Sequence, residues 1–287
     1  MPAMTWDELD TRLEAVPGCV SVHVGRLGAS AAYRRLADTT HYAASTMKTA
    51  VLVALHRAAE AGRLDLDAPV PVVAEFASAQ PGAPRFACDP RDDNDPEVWG
   101  RLGGSASLRR LAHRMIVRSS NLATCLVMSH VGLPAVTEVW ALAGARRSVT
   151  TRAVGDLAAR DGGLTNLVTA ADLAALHAAI VQGAEQPGPL ASPAACAQMR
   201  DVLLAQEIRD DLPAGLPAGT RIAHKNGWVH GIRHGAGVVL PDDAPPYAIA
   251  VCTTAATADG GPAYDDATAR RLIATVSATA WAARHRL

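Results

Sequence analysis

The most constraining feature of this chain is a six-residue run, Ala50 to Leu55, that is apolar at every position. A helix that is apolar on all sides has to be buried, so we predict a central helix around which the rest of the chain packs. Ser45 and Lys48 precede this run and stand three residues apart. That spacing places both side chains on one helical face, one turn apart. A serine needs a neighbouring base to become a nucleophile, and a buried lysine with a lowered pKa is such a base.

Length and charge limit the range of functions. The chain has 287 residues, which suits one large domain or two closely packed ones. The chain has 27 lysines and arginines and 28 acidic residues, so the formal net charge is −1. We therefore expect no nucleic-acid partner and no membrane association, because neither a basic surface nor a bilayer-length apolar run is present.

The N-terminus and the cysteines indicate a cytoplasmic protein. Residues 1–10 carry acids where a signal peptide would carry Lys or Arg, and they lack an apolar core. The cysteines are odd in number and form no C-x-x-C pair: Cys19, Cys88, Cys125, Cys196 and Cys252. This pattern favours reduced, mostly buried thiols in a reducing compartment.

Hydrophobic periodicity places strands at both ends of the chain and helices between them. We therefore predict an α/β (α+β) fold, with one antiparallel sheet flanked by the N- and C-terminal helices, beside an all-helical lobe. Residues 1–62 and 192–287 would form the discontinuous sheet lobe and 63–191 the helical lobe, with the active site in the cleft between them. The predicted strands are Cys19–Val24, Ala31–Ala37, Thr220–Val229, Ile232–Leu240 and Tyr247–Thr254.

Two stretches lack clear periodicity. Residues 77–105 are dense in Pro, Gly and Asp, and the acids between Asp89 and Asp95 are either a cation site or part of a solvated loop. Residues 146–167 read as one long loop, and a loop of this length inside a compact domain is often functional.

Two later motifs accompany the Ser45 segment. Arg118-Ser119-Ser120-Asn121 lies between two predicted helices, and His224-Lys225-Asn226-Gly227 lies on the first of the late strands. S-x-x-K, S-[DS]-N and K-[TN]-G in this order form the motif set of class A β-lactamases and penicillin-binding proteins. The chain resembles the class A β-lactamase-related serine hydrolases over nearly its full length, which implies a β-lactamase/transpeptidase-like fold.

The resemblance implies a role for each matching residue. Ser45 would be the acylated nucleophile and Lys48 its base, while Ser119 would relay a proton to the leaving nitrogen. Asn121 would hydrogen-bond a substrate amide. Lys225 would hold a substrate carboxylate and lower the pKa of Lys48. The substrate-binding set would be completed by Asn226, Gly227, Trp228, whose backbone N–H forms an oxyanion hole with that of Ser45, and Arg233 as a second carboxylate anchor.

The chain departs from the family pattern where the acyl-enzyme is hydrolysed. In class A β-lactamases a glutamate in the loop after the third helix activates the deacylating water. Val154 falls near that position here, and Asp156 is the better placed of the two nearby carboxylates. Asp156 is either the catalytic base or a brace for the loop. Asn226 in place of the family's threonine or serine removes a hydroxyl that usually contacts the substrate carboxylate.

Each motif also has a simpler interpretation. Ser119 and Asn121 suit a helix cap, and Lys225 suits a solvated position on a strand. His224, His230 and His234 suggest a metal site, but their spacing is not that of zinc ligands. We therefore expect no metal and no cofactor.

The main interpretation is a serine hydrolase that acts through a Ser45 acyl-enzyme on an amide, ester or β-lactam bond of a small-molecule acyl substrate. One alternative is an acyltransferase or esterase in a small-molecule biosynthetic pathway. Another is a catalytically silent homologue that only binds a ligand. The presence of Ser45, Lys48, Ser119 and Lys225 together argues against silence, since binding alone needs no proton relay.

Overall fold

The helices and strands are described in a computed structural model for residues 4–255 and 264–287. The α-helices in these ranges are α1 (Trp6–Glu14), α2 (Lys48–Glu60), α3 (Pro96–Trp99), α4 (Leu108–Val117), α5 (Asn121–Val131), α6 (Leu133–Leu142), α7 (Leu157–Asp161), α8 (Ala170–Gly183), α9 (Pro193–Leu204) and α10 (Asp266–Ala283). The strands are β1 (Cys19–Arg26), β2 (Ala31–Arg35), β3 (His41–Tyr42), β4 (Pro69–Pro71), β5 (Glu75–Phe76), β6 (Phe86–Ala87), β7 (Ser105–Ser107), β8 (Leu167–Val168), β9 (Arg221–Val229), β10 (Ile232–Leu240) and β11 (Tyr247–Thr254). Short 3₁₀ segments are Ala44–Met47, Pro90–Asp92 and Leu212–Gly215.

One five-stranded antiparallel sheet joins the two ends of the chain, in the order β2-β1-β11-β10-β9. Val22 of β1 pairs with Val251 of β11, so the first strand lies beside the last. This confirms the predicted fold class and the predicted pairing of N- and C-terminal strands. Strand β9, which carries the third motif, Lys225-Asn226-Gly227, lies at an edge of the sheet.

Helices cover both faces of the sheet. On one face, α1 and α10 bury the alternating residues Val20, Val22 and Val24 together with Ile249 and Val251. Thr5 caps α1 through the predicted capping box with Glu8. On the other face, α8 packs across β1, β10 and β11, while α9 packs on β9. Strands β1, β11, β10 and β9 are therefore largely buried on both sides, whereas the edge strand β2 is partly exposed.

The central helix is the predicted one. Every residue of α2 from Lys48 to His56 is buried, and α2 packs against α4, α5, α6, α8 and α9. The larger apolar core of the molecule surrounds it. This environment excludes water from the start of the helix, where the first motif lies. The division into a sheet lobe and a helical lobe stays a prediction.

The predicted long loop, 146–167, contains some regular structure. Its middle forms the short helix α7, and Val149 makes an isolated bridge with Leu167.

No single helix among the described residues has the length and apolar composition of a membrane span; α5 and α6, which meet at 90°, pass that test only as a bent pair.

Candidate active site

Ser45 lies in a 3₁₀ turn immediately before α2, rather than in the first turn of the α-helix itself. Ala44, just before it, has φ +45°, a left-handed conformation that costs free energy for a residue with a side chain. Thr46 holds the turn closed, because its hydroxyl donates to the Ala43 carbonyl at 2.6 Å. The Ser45 side chain is half-buried. The nucleophile candidate is thus fixed on a strained turn at the end of a buried helix.

The Lys48 amine lies among oxygens of the second motif. Its Nζ donates to the Ser119 carbonyl at 2.7 Å and to Asn121 Oδ1 at 2.8 Å, with Ser119 Oγ at 3.3 Å and the Ser120 carbonyl at 3.4 Å. These contacts all go to the 119–121 turn rather than to Ser45. Catalytic hydrogen bonds are often long in a free enzyme and tighten when substrate binds. The structure therefore brings the first and second motifs together through Lys48.

Burial lowers the pKa of Lys48 to about 8, because its side chain is fully inside the protein and its charged form is poorly solvated. The negative charge of Asp93 opposes this shift. An appreciable fraction of the lysine is then the free amine near neutral pH. Only the free amine accepts a proton from a serine hydroxyl.

Ser119 connects the two lysines of the site. Its Oγ lies 3.1 Å from Lys225 Nζ and 3.3 Å from Lys48 Nζ. Ser119 has φ +59°, so its backbone is also left-handed. Burial and the neighbouring Lys48 hold the pKa of Lys225 well below the usual lysine value. Lys48 and Lys225 are the only two lysines in the whole sequence, and both are fully buried here.

Strand β9 approaches the Ser45 turn at Gly227. A Cβ atom added to Gly227 would lie 2.5 Å from the Ser45 nitrogen and 2.8 Å from the Thr46 nitrogen, so only glycine fits this contact. The first N–H groups of a helical turn have no acceptor within the turn. The approach supports an oxyanion hole made by the Ser45 and Trp228 amides, which remains a proposal.

The side chains of β9 alternate between the two faces of the sheet. Lys225 and Gly227 face Ser119 and Ser45. The Asn226 side chain points to the opposite face, where its Nδ2 donates to Asp211 Oδ2 at 3.0 Å and to the Ile208 carbonyl at 3.2 Å. Its Oδ1 lies 3.5 Å from Lys225 Nζ. Asn226 thus links β9 to the segment that carries Asp211, and its place in the substrate-binding set stays a prediction.

Arg233 also lies on this opposite face, opposite Trp228 in the β9–β10 ladder. Its guanidinium, 1% exposed, pairs with Asp210 at 2.6 Å, Asp266 at 2.9 Å and Asp211 at 3.3 Å. It also stacks on the Trp228 ring at 5.0 Å from the centroid. The predicted role of Arg233 as a carboxylate anchor needs correction, because carboxylates of the chain itself already occupy it.

Asp156 caps helix α7 and is fully buried. Its carboxylate accepts from the Ser78 hydroxyl at 2.7 Å, the Ala79 amide at 2.8 Å and the Ala159 amide at 3.2 Å. These bonds tie the 154–161 segment to the loop that begins at Ala77. Of the two roles left open for Asp156, the geometry supports the loop brace and does not support the catalytic base.

The position near which the family's glutamate falls is occupied by apolar and thiol groups. Val154 is half-buried, and its carbonyl accepts from the buried Cys125 thiol at 3.3 Å. Cys88 lies beside Cys125, and that contact lowers the pKa of the Cys88 thiol. A deacylating carboxylate is therefore absent from this position in the described part of the chain.

Asn121 uses both ends of its amide. Oδ1 accepts from Lys48, and Nδ2 donates to the Asp92 carbonyl at 2.6 Å. An amide oxygen has two lone pairs, so contact with a substrate amide stays a proposal. The helix-cap alternative applies instead to Ser120, whose hydroxyl accepts from the Ala123 amide at 3.1 Å.

The sequence analysis missed the part played by Asp93, which it grouped with a solvated acidic loop. Its carboxylate accepts from the Leu122 amide at 2.8 Å and from the Ser120 hydroxyl at 3.2 Å. This contact joins residues 27 or more positions apart, so no local pattern indicates it.

Among residues 4–255 and 264–287, no three His, Cys, Asp or Glu side chains are grouped so as to hold a metal ion.

The sheet has helices on both faces, and the Ser45 turn lies beside its edge strand β9. Ser119 bridges the two buried lysines there. This architecture is that of the β-lactamase/transpeptidase-like fold. Residues 4–283 match a family model described as "Beta-lactamase enzyme family", and the chain belongs to that family. Membership of this family and its motif set indicate a serine hydrolase-like protein.

Solved structures agree with this fold. A β-lactamase from Sphaerobacter thermophilus DSM 20745 is 23% identical, with 99% of this chain and 98% of that chain covered and a TM-score of 0.79. A class A β-lactamase from Mycobacterium abscessus is 18% identical, with 98% and 99% covered and a TM-score of 0.79. A point mutant of PBP-A, solved as an acyl-enzyme complex with penicillin G, is 23% identical, with both chains fully covered and a TM-score of 0.76. A search of curated proteins finds no match.

Proposed function

We propose that this protein is a serine hydrolase that forms an acyl-enzyme on Ser45 with a small-molecule amide, ester or β-lactam. The single observation that carries the proposal is the shared hydrogen-bond network of Lys48, Ser119 and Lys225 beside the Ser45 turn. Two fully buried lysines on one hydroxyl are costly for folding alone. They are useful where a proton has to move at neutral pH.

In the proposed reaction, the free amine of Lys48 takes the proton from the Ser45 hydroxyl as Oγ bonds to the substrate carbonyl carbon. The amides of Ser45 and Trp228 would stabilise the resulting oxyanion, each donor contributing about 3 kcal/mol in the transition state. Ser119 would give its proton to the leaving atom as the carbonyl carbon releases it. Ser119 would then be reprotonated from Lys48, which returns to the free amine.

A second candidate, acyl transfer to a nucleophile other than water, is favoured by one observation. Asp156 is committed to capping α7, and Val154 lies near the position of the family's glutamate. General-base assistance is worth about 10²- to 10⁴-fold, so hydrolysis of the acyl-enzyme should be slow. The PBP-A mutant, whose acyl-enzyme with penicillin G was solved, supports penicillin G as a probe.

The test is intact-protein mass spectrometry after mixing with penicillin G or with p-nitrophenyl acetate. Wild type and Ser45→Ala are compared, with Ser192→Ala as a control because Ser192 caps α9 away from the site. A lasting adduct that forms on wild type and Ser192→Ala but not on Ser45→Ala supports a Ser45 acyl-enzyme with slow deacylation. Substrate consumption without a lasting adduct, lost in Ser45→Ala, supports a complete hydrolase.

An adduct or turnover that persists in Ser45→Ala would overturn the assignment of the nucleophile. With neither adduct nor turnover for either probe, the alternative of an acyltransferase or esterase in a biosynthetic pathway would take precedence. In a wild type that holds the adduct, Val154→Glu should shorten the lifetime of that adduct, since it places a carboxylate near the family position.

A further inference from the structure

The acidic loop between Cys88 and Pro96 is not part of the proposed reaction, yet it contacts the second motif closely. The half-buried Asp93 accepts three hydrogen bonds on Oδ2: from the Leu122 amide at 2.8 Å, the Trp99 indole at 3.0 Å and the Ser120 hydroxyl at 3.2 Å. Its Oδ1 accepts from the Asp95 amide at 3.1 Å. The side chain is thus fixed at both oxygens.

The neighbouring backbone extends the contact. The Asp92 carbonyl accepts from Asn121 Nδ2 at 2.6 Å. The loop therefore binds Ser120, Asn121 and Leu122 in succession, while Lys48 binds Ser119, Ser120 and Asn121 from the other side. The turn is held between the loop and the lysine.

This turn needs outside support because Ser119 is left-handed, with φ +59°. A non-glycine residue in this region costs about 1–3 kcal/mol and persists only where its surroundings enforce it. The Asp93 carboxylate binds the Ser120 hydroxyl and the Leu122 amide, which follow Ser119 within three residues. These bonds fix the direction in which the chain leaves the strained residue.

We propose that Asp93 is a positioning residue, which holds the Ser119–Leu122 turn around Lys48 in the geometry that proton transfer requires. Its effect on the Lys48 environment is independent of any substrate, and its effect on acylation rests on the proposed function. Trp99 supports Asp93 in turn, since its indole N–H donates to the same carboxylate oxygen.

The charge of Asp93 has a second, measurable effect. Lys48 is faced by Asp93 and Cys88 from the loop, by Cys125 from α5 and by Lys225 from β9. Among these neighbours, Asp93 is the largest influence that favours the ammonium form. Removing its charge should therefore lower the pKa of Lys48 below the wild-type value of about 8.

The two-lysine composition allows this titration to be followed directly. Protein labelled with [ε-¹³C]lysine gives one signal for Lys48 and one for Lys225, and Lys225→Arg assigns them. Asp93→Asn removes the charge but keeps an acceptor oxygen, whereas Asp93→Ala removes both. Asp89→Asn is the matched control, because Asp89 lies in the same loop and pairs with the exposed Arg91 at 2.5 Å.

We expect the Lys48 midpoint to fall by about 0.5 pH unit in Asp93→Asn and to stay at the wild-type value in Asp89→Asn. A Lys48 midpoint in Asp93→Asn that equals the wild-type value overturns the proposal. This result does not depend on whether Ser45 is ever acylated, so it is distinct from a failure of the proposed function.

The positioning effect is measured as the acylation rate at high pH, where Lys48 is a free amine in every variant. We expect the rate to fall about tenfold or more in Asp93→Ala, less in Asp93→Asn, and not in Asp89→Asn. Loss of thermal stability in Asp93→Ala with an unchanged rate would show that the loop is only a structural support and would overturn the proposal.

Discussion

At the scale of single residues, one atom, Ser119 Oγ, contacts the amines of both buried lysines. Both amines lie within hydrogen-bonding distance of it, and the neighbouring Lys48 destabilises the charged form of Lys225. The hydroxyl therefore lies where a proton can pass from one amine toward a leaving group. The left-handed backbones at Ala44 and Ser119 fix the two serine side chains at the cost of local strain.

The pH dependence of acylation follows from Lys48. Its pKa is lowered to about 8, and the base form is the one present above that value. The acylation rate with penicillin G should therefore rise about tenfold per pH unit below pH 8 and level off above it. Stopped-flow or quenched mass spectrometry from pH 6 to 10 measures the profile. A rate that does not change over this range would contradict Lys48 as the base.

Asp156 gives a prediction about stability rather than catalysis. Asp156→Ala removes a helix cap and leaves the amides of Ala79 and Ala159 without their acceptor, which should lower the free energy of unfolding by about 1–3 kcal/mol. Asp161→Ala, at an exposed position in the same loop, should change it little. Urea unfolding measures both. A longer adduct lifetime in Asp156→Asn at unchanged stability would restore the catalytic-base role.

At the scale of elements, strand β9 serves two purposes on its two faces. Residues of one parity contact the candidate site: Lys225 contacts Ser119, and Gly227 contacts the Ser45 turn. Residues of the other parity, Asn226 and Trp228, meet Asp211 and Arg233 behind the sheet. The edge position matters as well, because it leaves one side of the strand free to meet the Ser45 turn.

Gly227→Ala should abolish most acylation without unfolding the protein. The added methyl would sit 2.5 Å from the Ser45 nitrogen, so the turn has to move, and misplacement by about 1 Å can cost about 100-fold in rate. Gly235→Ala is the control, since its Cβ would meet the side chains of Leu212, at 3.0 Å, and Ile273, at 3.5 Å, on the other face. Equal acylation rates in the two variants would argue against a close approach at Gly227.

The periodic elements and the order of the motifs were predictable from the sequence because both are local. The all-apolar run 50–55 specified the central helix, and alternation in 19–24 specified the first strand. The same alternation, applied to β9, would have placed the Asn226 side chain on the face opposite to that of Lys225; the family resemblance directed attention to its chemistry instead. Contacts of Asp93 and Arg233 depend on which loops meet in three dimensions, and no spacing in the chain encodes that.

At the scale of the whole molecule, a network of ion pairs fastens the sheet to the last helix. Arg233 on β10 binds Asp266 on α10 and Asp211, which precedes the 3₁₀ turn Leu212–Gly215. Burial raises the pKa of Asp211, and the charge of Arg233 opposes that shift. The network reaches the site through Asn226. Its side-chain Nδ2 donates to Asp211, and its backbone carbonyl accepts from Lys225 Nζ at 2.7 Å.

Arg233→Met should destabilise the whole protein. It leaves Asp211 buried without its charge partner, which costs about 3–5 kcal/mol. Arg270→Met, at the half-exposed end of the same network, should cost about 0–1 kcal/mol. Denaturant unfolding of both variants measures the difference. The anchor role would be restored by an Arg233→Met protein of normal stability with a particular rate pattern. Relative to wild type, its acylation by penicillin G would be slowed more than its acylation by the methyl ester of penicillin G.

The restriction of lysine to positions 48 and 225 has a practical consequence for observing this molecule. A protease that cleaves only after lysine has two target bonds in the entire chain, one at the start of α2 and one within β9. Both bonds lie inside regular structure at the site, so cutting requires that part of the molecule to open. The rate of such cutting would report how often the structure around Lys48, Ser119 and Lys225 opens, without interference from the rest of the surface.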